Sequence, residues 1–186
     1  MALILVTAPS GTGKTSIMEM VQNYLGKHAL LECVSHTTRP MRDGEVDGQT
    51  YYYIDKDYFQ VGIDGGEFAE YIEYDGHLYG ISVEEIKRRM SEAENVYIIV
   101  NYDGYKQVKE KFPDAVGIFL HMSKEDCMAN MLLRGDSIEN AVARIELYDD
   151  EMKNRVDYDY VIKNVRDKQM FTRNIIAGIL YQNEVK

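Results

Sequence analysis

The sequence contains no tryptophan, only three prolines and only two cysteines among its 186 residues. Cys33 and Cys127 lie far apart and have neither paired nor metal-ligand spacing, which excludes a disulfide framework and a cysteine-rich zinc site. We expect both to be reduced structural thiols. No apolar run approaches the length of a membrane span, and no basic stretch follows Met1, so we expect a protein of the cytoplasm.

Basic residues are also scarce, because 21 lysines and arginines face 31 aspartates and glutamates and give a net charge of -10 at pH 7. Nucleic acids and anionic membranes both require a basic surface, so we expect neither as a partner. A chain of this length fits one domain, and its composition leaves a homo-oligomer open. If such an acidic protein binds phosphates, it has to concentrate its cations locally.

The most informative segment follows the apolar stretch Leu3-Ile4-Leu5-Val6 and reads Ala8-Pro9-Ser10-Gly11-Thr12-Gly13-Lys14-Thr15. A buried strand that breaks into a glycine-rich turn and restarts as a helix at Lys-Thr is typical of a phosphate-binding loop, whose backbone N–H groups line one concavity. The sequence therefore predicts a binding site for a nucleoside triphosphate.

Each position of this loop has a predicted role. Gly11 and Gly13 allow the backbone to turn close to the phosphates, Lys14 places its ammonium group on the outer phosphates, and Thr15 offers its hydroxyl to Mg²⁺. Ala8 stands where such loops usually have a glycine, which is a mild departure. The predicted ATP contacts in the loop are Ser10, Gly11, Thr12, Gly13, Lys14 and Thr15, with Thr15 as the metal ligand.

The remaining apolar segments predict an α/β fold. Residues 96–100 and 115–120 read as strands buried on both faces and separated by a helical stretch, which is the pattern of parallel βαβ units, and 160–162 reads as a further core strand. Helices are predicted over 16–25 and 168–180. Their expected buried faces consist of Ile17, Met20, Val21, Tyr24 and Leu25 in the first helix, and of Met170, Phe171, Ile175, Ile176 and Leu180 in the second.

Two segments differ from this core (1–33, 83–122 and 158–186). Residues 34–82 are rich in tyrosine, glycine and charge, and a hairpin turn at Asp75-Gly76 predicts antiparallel strands in a separate lobe. Ser82 has capping-box spacing to Glu85 and opens a helix. Residues 123–157 are polar and predict two helices broken at Arg134-Gly135-Asp136, either as a mobile lid or as a solvated helical face.

The segment 34–48 reads VSHTTRPMRDGEVDG and closely resembles the signature of guanylate kinases. Further pieces agree with that family in order and spacing, so the resemblance runs essentially from end to end: Glu67 to Glu70, Tyr79-Gly80, Gly104, Arg134-Gly135, Arg144 and Asp159 to Ile162. It implies a P-loop kinase core with a parallel sheet flanked by helices, a small mixed-β monophosphate-binding lobe and a helical lid. The implied reaction transfers the γ-phosphoryl group of ATP, with Mg²⁺, to GMP or dGMP.

The resemblance also implies roles for individual residues. The planar guanidinium groups of Arg39 and Arg42 suit the GMP phosphate, and the hydroxyls of Tyr51 and Tyr79 resemble donors to the same phosphate. Ser35 and Glu70 stand at guanine-binding positions, where a carboxylate accepts from both N1–H and the N2 amine. The family's lid arginines correspond to Arg134 and Arg144, and its adenine-site asparagine to Asn164. Lys14, Arg42, Arg134 and Arg144 are the implied catalytic residues.

The sequence departs from the family pattern in three places. Ile81 replaces a serine or threonine that donates toward guanine O6. The carboxylates expected after the central strand are absent, because that segment ends in Ile99-Val100-Asn101; we keep Asn101 in the predicted GMP site, and Asp103 lies two residues beyond it. Asn130 occupies the position of one lid arginine.

Three hypotheses remain open on the sequence. The leading one is an active nucleoside monophosphate kinase, because Lys14-Thr15 is intact. The second is a binding module of the guanylate kinase fold without useful turnover. The third is a phosphotransferase of the same fold that acts on another small phosphorylated compound, which Ile81 and Asn101 would permit.

Overall fold

Two β-sheets organise the chain in the computed structural model, which describes residues 1–184. Val185 and Lys186, at the end of the predicted core, lie outside the described residues. The larger sheet has five parallel strands in the order β2-β7-β1-β8-β9, and the smaller has four strands in the order β4-β3-β6-β5. The strands are β1 Ala2–Thr7, β2 Leu30–Glu32, β3 His36–Thr37, β4 Tyr52–Tyr53, β5 Phe68–Tyr74, β6 His77–Ser82, β7 Asn95–Ile99, β8 Val116–His121 and β9 Tyr160–Lys163.

Helices cover both faces of the larger sheet and extend beyond it. They are α1 Lys14–Leu25, α2 Lys56–Asp64, α3 Val83–Glu92, α4 Tyr102–Lys111, α5 Lys124–Leu133, α6 Ile138–Glu146, α7 Tyr148–Lys153 and α8 Gln169–Glu184, with a short 3-10 helix at Asn154–Asp157. The strands β1, β7 and β8 consist largely of β-branched and leucine side chains, which are buried on both sides of the sheet. The predicted parallel α/β fold is confirmed.

The smaller sheet forms a lobe with its own core. Its hairpin between β5 and β6 turns at Asp75 and Gly76, both with positive φ, as the sequence predicted. The sheet is mixed, since β3 pairs in parallel with β4. Helix α2, which the sequence did not predict, begins after Asp55, whose side chain accepts from the backbone of Tyr58. Phe59 stacks on Phe68 at 4.2 Å and closes this small core.

A buried carboxylate, that of Glu85, links the lobe to the core at the start of α3. Ser82 caps this helix through the backbone N–H of Glu85, as predicted, but the Glu85 side chain does not return the bond that a capping box requires. It accepts instead from the backbone N–H of Val34 at 2.9 Å, from Arg89 at 2.7 Å and from the Tyr52 hydroxyl at 3.2 Å. Glu85 therefore ties both ends of the lobe together.

The segment after β8 contains the two predicted helices, α5 and α6, with the predicted break between them. Ser123 caps α5, and Ser137 caps α6 after the turn at Arg134 to Asp136. Helix α7 and the 3-10 helix follow and were not predicted. Few side chains of α6 and α7 are buried, so this segment covers one end of the sheet without contributing much to the core.

Three predictions about buried faces are wrong in part. Tyr24 is exposed and lies under the guanidinium of Arg173 at 4.0 Å. On α8, Met170, Phe171 and Ile175 are exposed, whereas Ile176, Ile179 and Leu180 pack on the core with α1. The strand β9 is an edge strand with Val161 exposed. In each case the element exists as predicted, but the neighbouring element covers a different side of it.

Both cysteines are free and buried, as expected of structural thiols. Burial raises the pKa of the Cys33 thiol to about 12, so it stays protonated.

Among residues 1–184, the helices are either too short or too polar to cross a bilayer.

Candidate active site

The phosphate-binding loop connects β1 to α1 and lies directly on helix α5. Gly11 has φ +82°, and a Cβ atom at this position would lie 2.2 Å from the backbone oxygen of Cys127, so only glycine fits. The hydroxyl of Thr12 contacts the Cys127 sulfur at 3.6 Å beneath the loop. The predicted strand, glycine turn and helix are therefore all present, and α5 forms the floor of the loop.

Lys14 begins α1 and enters a cavity of about 290 Å³ at the end of the central strands. Its ammonium group makes one long hydrogen bond, to the Ala8 carbonyl at 3.5 Å. Burial lowers the pKa of Lys14, and the charge of Glu151 acts in the opposite direction. Glu151 comes from α7 and lines the same cavity. One of its carboxylate oxygens is buried and has no hydrogen-bond partner among the described residues. Sequence reasoning missed this residue.

The two predicted lid arginines lie near the loop but have different hydrogen-bond partners. Arg144 donates to the Ser10 hydroxyl of the loop at 3.1 Å and to the Tyr74 hydroxyl of the lobe at 3.4 Å. Arg134 forms a two-pronged ion pair with Asp136, at 3.0 Å and 2.6 Å. Together with the loop they line a cavity of about 500 Å³. Both predicted arginines are thus brought to the predicted triphosphate site.

Two asparagines near the loop donate hydrogen bonds from their side-chain amides to backbone carbonyls of the loop. Asn130, at the position of the missing lid arginine, donates to the Gly11 carbonyl at 2.8 Å. Asn164, predicted near adenine, is buried and donates to the Thr12 carbonyl at 2.8 Å, while its oxygen accepts from Thr172 at 3.0 Å.

Arg39 lies in a cluster of tyrosines on the lobe. Its guanidinium pairs with Glu45 at 2.7 Å and lies 5.6 Å from the centre of the Tyr51 ring. Tyr53 donates to the same carboxylate at 2.8 Å. The Arg39 bond lowers the pKa of Glu45 to about 2, so this ion pair is charged at neutral pH. Tyr79 packs edge-on against Tyr51 at 5.9 Å.

Glu45 and Tyr53 were missed as members of this cluster, although both lie in or beside the signature segment. Arg42 was predicted for the same phosphate. Its backbone N–H donates to Glu45 at 2.7 Å, and its side chain is exposed. The lobe therefore carries two arginines beside the Glu45 carboxylate. Arg39 is already paired with it, and the side chain of Arg42 extends into solvent.

A cleft of about 760 Å³ lies between the lobe and the core. It is lined by Thr15 at the start of α1, by Ser35 and Tyr51 from the lobe, and by Ile81 and Ile99. Thr15 of the phosphate loop thus faces two residues predicted for the monophosphate, Ser35 and Tyr51. Lys14, Arg134 and Arg144 line separate cavities beside the loop, and Arg39, Arg42, Glu70 and Tyr79 do not line this cleft. This arrangement suits a transfer between two bound nucleotides.

Glu70 and Ile81 are direct partners across the β5–β6 pair, so their side chains lie on the same face of the lobe sheet. Glu70 is buried, and this burial raises the pKa of its carboxyl to about 7, with a smaller opposing effect from the backbone N–H of Ile81. A Cβ at position 104 would lie 2.9 Å from a Glu70 oxygen, which explains the glycine there. Ile81 is almost completely buried beside this carboxyl group.

Asn101 follows β7 by two residues and caps α4. Its side-chain oxygen accepts from the backbone N–H of Gly104 at 2.8 Å, which is a structural role that aspartate would also fill. Asn101 lines the cavity that holds Lys14 and Glu151. Asp103, two residues further on, pairs with Lys106 on the solvent side.

A phosphate-binding loop on a parallel sheet, with a helical segment over it and a mixed-β lobe opposite, defines the class of P-loop nucleoside monophosphate kinases. The sequence model of one family in this class, described as guanylate kinase, matches residues 1–170. The chain belongs to the guanylate kinase family.

Individual relatives agree with this assignment. Over 164 residues, which is 87% of this chain, it is 37% identical to a guanylate kinase of Buchnera aphidicola and 36% identical to one of Vibrio cholerae, covering 79% of each relative. It is 34% identical to a guanylate kinase of Legionella pneumophila, with 78% of that relative covered. The crystal structure of guanylate kinase from Anaplasma phagocytophilum has the same fold, with a TM-score of 0.71 at 24% identity over all of this chain and 87% of that one.

Proposed function

We propose that this protein transfers the γ-phosphoryl group of ATP to GMP or dGMP and releases ADP with GDP or dGDP. The observation that carries the proposal is the shared cleft, in which the start of α1 faces Ser35 and Tyr51 of the lobe. Family membership supports the same reaction, since relatives at 34–37% identity are named guanylate kinases.

The proposed chemistry needs charge neutralisation and alignment more than a covalent partner. Within the described part of the chain, the Lys14 ammonium group is held only by its 3.5 Å bond to the Ala8 carbonyl, so it is available to the outer phosphates. Arg144 already lies on the loop through Ser10. Arg134 would have to exchange Asp136 for a phosphate oxygen, which costs little because this ion pair is exposed to solvent. Arg39 and Arg42 would hold the GMP phosphate, with Tyr51 and Tyr79 beside it.

A nucleotide kinase of this family generally works with a divalent metal, and we propose Mg²⁺. Among residues 1–184, three or more acidic, histidine or cysteine side chains do not come together as a metal cage. This fits Mg²⁺, which binds through few protein oxygens together with substrate phosphates and water. The Thr15 hydroxyl and the Glu151 carboxylate are the oxygens near the loop that would hold it or its water. When bound, the ion neutralises charge on the transferred phosphoryl group.

Glu70 supports guanine as the base. An ionised carboxylate in a buried site accepts from two adjacent N–H groups, which guanine presents and adenine does not. Binding adenine would leave Glu70 without partners, at a cost of about 1 to 3 kcal/mol or more. Ser35, the other predicted guanine contact, lines the cleft between the lobe and the core.

One observation favours a second candidate, a kinase of the same fold with a changed acceptor base. Ile81 is a direct neighbour of Glu70 and supplies an apolar surface where the family has a hydroxyl donor. A base that lacks the O6 oxygen would lose nothing at Ile81. The binding-module hypothesis has less support, because the phosphate loop and its lysine are intact.

The test is a coupled assay of ADP formation from ATP and Mg²⁺ with GMP, dGMP, IMP, AMP, CMP, UMP and dTMP, and with Lys14→Met as the inactive control. Turnover that requires Lys14 and prefers GMP or dGMP is the expected result. Preference for another acceptor would support the second candidate. Binding of ATP and GMP without turnover would support the binding module.

Two further assignments remain predictions. The division into core, lobe 34–82 and lid 123–157 awaits a measurement of motion, and cytoplasmic location awaits direct observation. Nucleotides are the expected ligands, and the oligomeric state is open.

A further inference from the structure

Two carbonyl groups of the phosphate loop are held by side-chain amides from opposite flanks. The Nδ2 group of Asn130, on α5, donates to the Gly11 carbonyl at 2.8 Å. The Nδ2 group of Asn164, just after β9, donates to the Thr12 carbonyl at 2.8 Å. These are adjacent peptide units in the part of the loop where a phosphate binds.

The direction of a carbonyl determines the direction of the N–H group in the same peptide. The peptide unit is planar and trans, so its C=O and N–H point to opposite sides. Holding the Gly11 carbonyl therefore fixes the Thr12 N–H, which donates to the Pro9 carbonyl at 3.2 Å and closes the turn. Holding the Thr12 carbonyl fixes the Gly13 N–H, one of the groups that such a loop offers to its ligand.

Both asparagines are themselves held in place. Asn164 is 2% exposed, its oxygen accepts from the Thr172 hydroxyl at 3.0 Å, and its backbone N–H donates to the His121 carbonyl at 2.7 Å. Its amide cannot rotate toward another partner without losing two buried hydrogen bonds. Asn130 belongs to the helix whose Cys127 backbone touches Gly11, so its distance from the loop is fixed by direct packing.

We propose that Asn130 and Asn164 are positioning residues that set the peptide planes of the phosphate loop for the triphosphate, and that Asn164 acts on the loop instead of on the adenine base. This rests on the proposed use of ATP. At position 130, the family's lid arginine is thus replaced by an asparagine whose amide supports the loop. Helix α5 thereby becomes part of the binding site, since it carries Asn130 and packs against Gly11.

The proposal is tested by comparing ATP with inorganic tripolyphosphate, which has the phosphates but no base. Binding of each, with Mg²⁺, is measured by isothermal titration calorimetry for the wild type, Asn164→Ala and Asn130→Ala. Loss of one net hydrogen bond that orders the loop corresponds to about fivefold weaker binding. We expect this loss for both ligands in both variants, with GMP affinity unchanged.

Controls separate this role from a general loss of structure. Asn140→Ala, an exposed position on α6, should bind both ligands like the wild type. Hydrogen exchange of the Gly13 amide should be faster in Asn164→Ala, which should also have a lower melting temperature because it loses two buried hydrogen bonds. If Asn164→Ala does not fold because this residue is buried, Asn130→Ala, which is half-buried, decides the question.

Two results would overturn the proposal. Weaker ATP binding with unchanged tripolyphosphate binding in Asn164→Ala would mean that this residue acts on the base. Unchanged binding of both ligands in Asn130→Ala would mean that its bond to Gly11 does not order the loop. A wild-type protein that binds neither ligand would refute the proposed function, which is a different outcome.

Discussion

Replacement of Glu70 by glutamine should stabilise the ligand-free protein at high pH while it weakens binding of GMP. Burial raises the pKa of this carboxyl from its ordinary 4.5 to about 7. Between these two values the native state binds more protons than the unfolded state, so stability falls as the pH rises through this range. The loss is complete above about pH 7 and amounts to about 3 kcal/mol as an order of magnitude.

Glutamine has nearly the same shape as glutamate and carries no charge. Glu70→Gln should therefore nearly equal the wild type in stability at pH 4, below the unfolded-state pKa, and exceed it by up to about 3 kcal/mol at pH 8. Urea unfolding followed by circular dichroism at both pH values measures this difference. Glu73→Gln is the matched control, because Glu73 lies on the same strand and is exposed.

The same substitution removes an acceptor that guanine requires. Charge-assisted hydrogen bonds contribute about 1.5 to 3 kcal/mol each, so the Kd for GMP should rise at least tenfold at pH 8. A wild type whose stability has the same pH dependence as that of Glu70→Gln would refute the reasoning about burial. Unchanged GMP affinity would remove Glu70 from the base site.

Three further predictions address the loop and the base. Lys14→Met should lower kcat by at least a thousandfold with an unchanged fold, since it removes charge from the phosphates without opening the core; a steady-state assay beside a melting curve checks this, and residual turnover near wild type would contradict it. Ile81→Ser should raise the ratio of kcat/KM for GMP over AMP about tenfold by restoring a donor, and an unchanged ratio would place residue 81 away from the base. Gly11→Ala should abolish ATP binding, as measured by calorimetry, because its Cβ would meet the Cys127 backbone. The control is Gly26→Ala, which is also at positive φ but in open space. It should lower the free energy of unfolding in urea by about 1 to 2 kcal/mol and leave ATP binding intact.

Much of the core was predictable because its signals are local. The strand before the phosphate loop and the apolar runs at 96–100 and 115–120 are buried on both faces, so their sequences are nearly continuous in apolar residues. Helix α2 escaped prediction because only Phe59 and Gly62 are buried in it, too few for a clear period; its signal was the cap at Asp55. The wrong face assigned to α8 has a related cause, since this helix carries apolar residues on several sides and only packing selects among them.

Residues of the site were likewise predictable where their signals are local, and were missed where they depend on packing. The loop and the lobe arginines have a fixed spacing and were predictable, whereas Glu45, Glu151 and the role of Asn130 depend on which segments meet in space. Asn130 and Gly11 are 119 positions apart in the chain. A substitution read from sequence as a lost cation is in the structure a gained hydrogen bond, and composition alone does not distinguish the two.

The carboxylate of Glu85 has a consequence for how the lobe is attached to the core. It holds Val34, where the chain passes into the lobe, and Tyr52 within it, and it stands on the helix into which the chain returns. Both connections of the chain thus meet at one buried point. A second set of hydrogen bonds, from Lys111 to the Gly66 and Phe68 carbonyls and between Gln107 and the Tyr71 backbone, ties the lobe to α4. A change at Glu85 would therefore loosen the places where the chain enters and leaves the lobe, while the attachment of β5 to α4 stays in place.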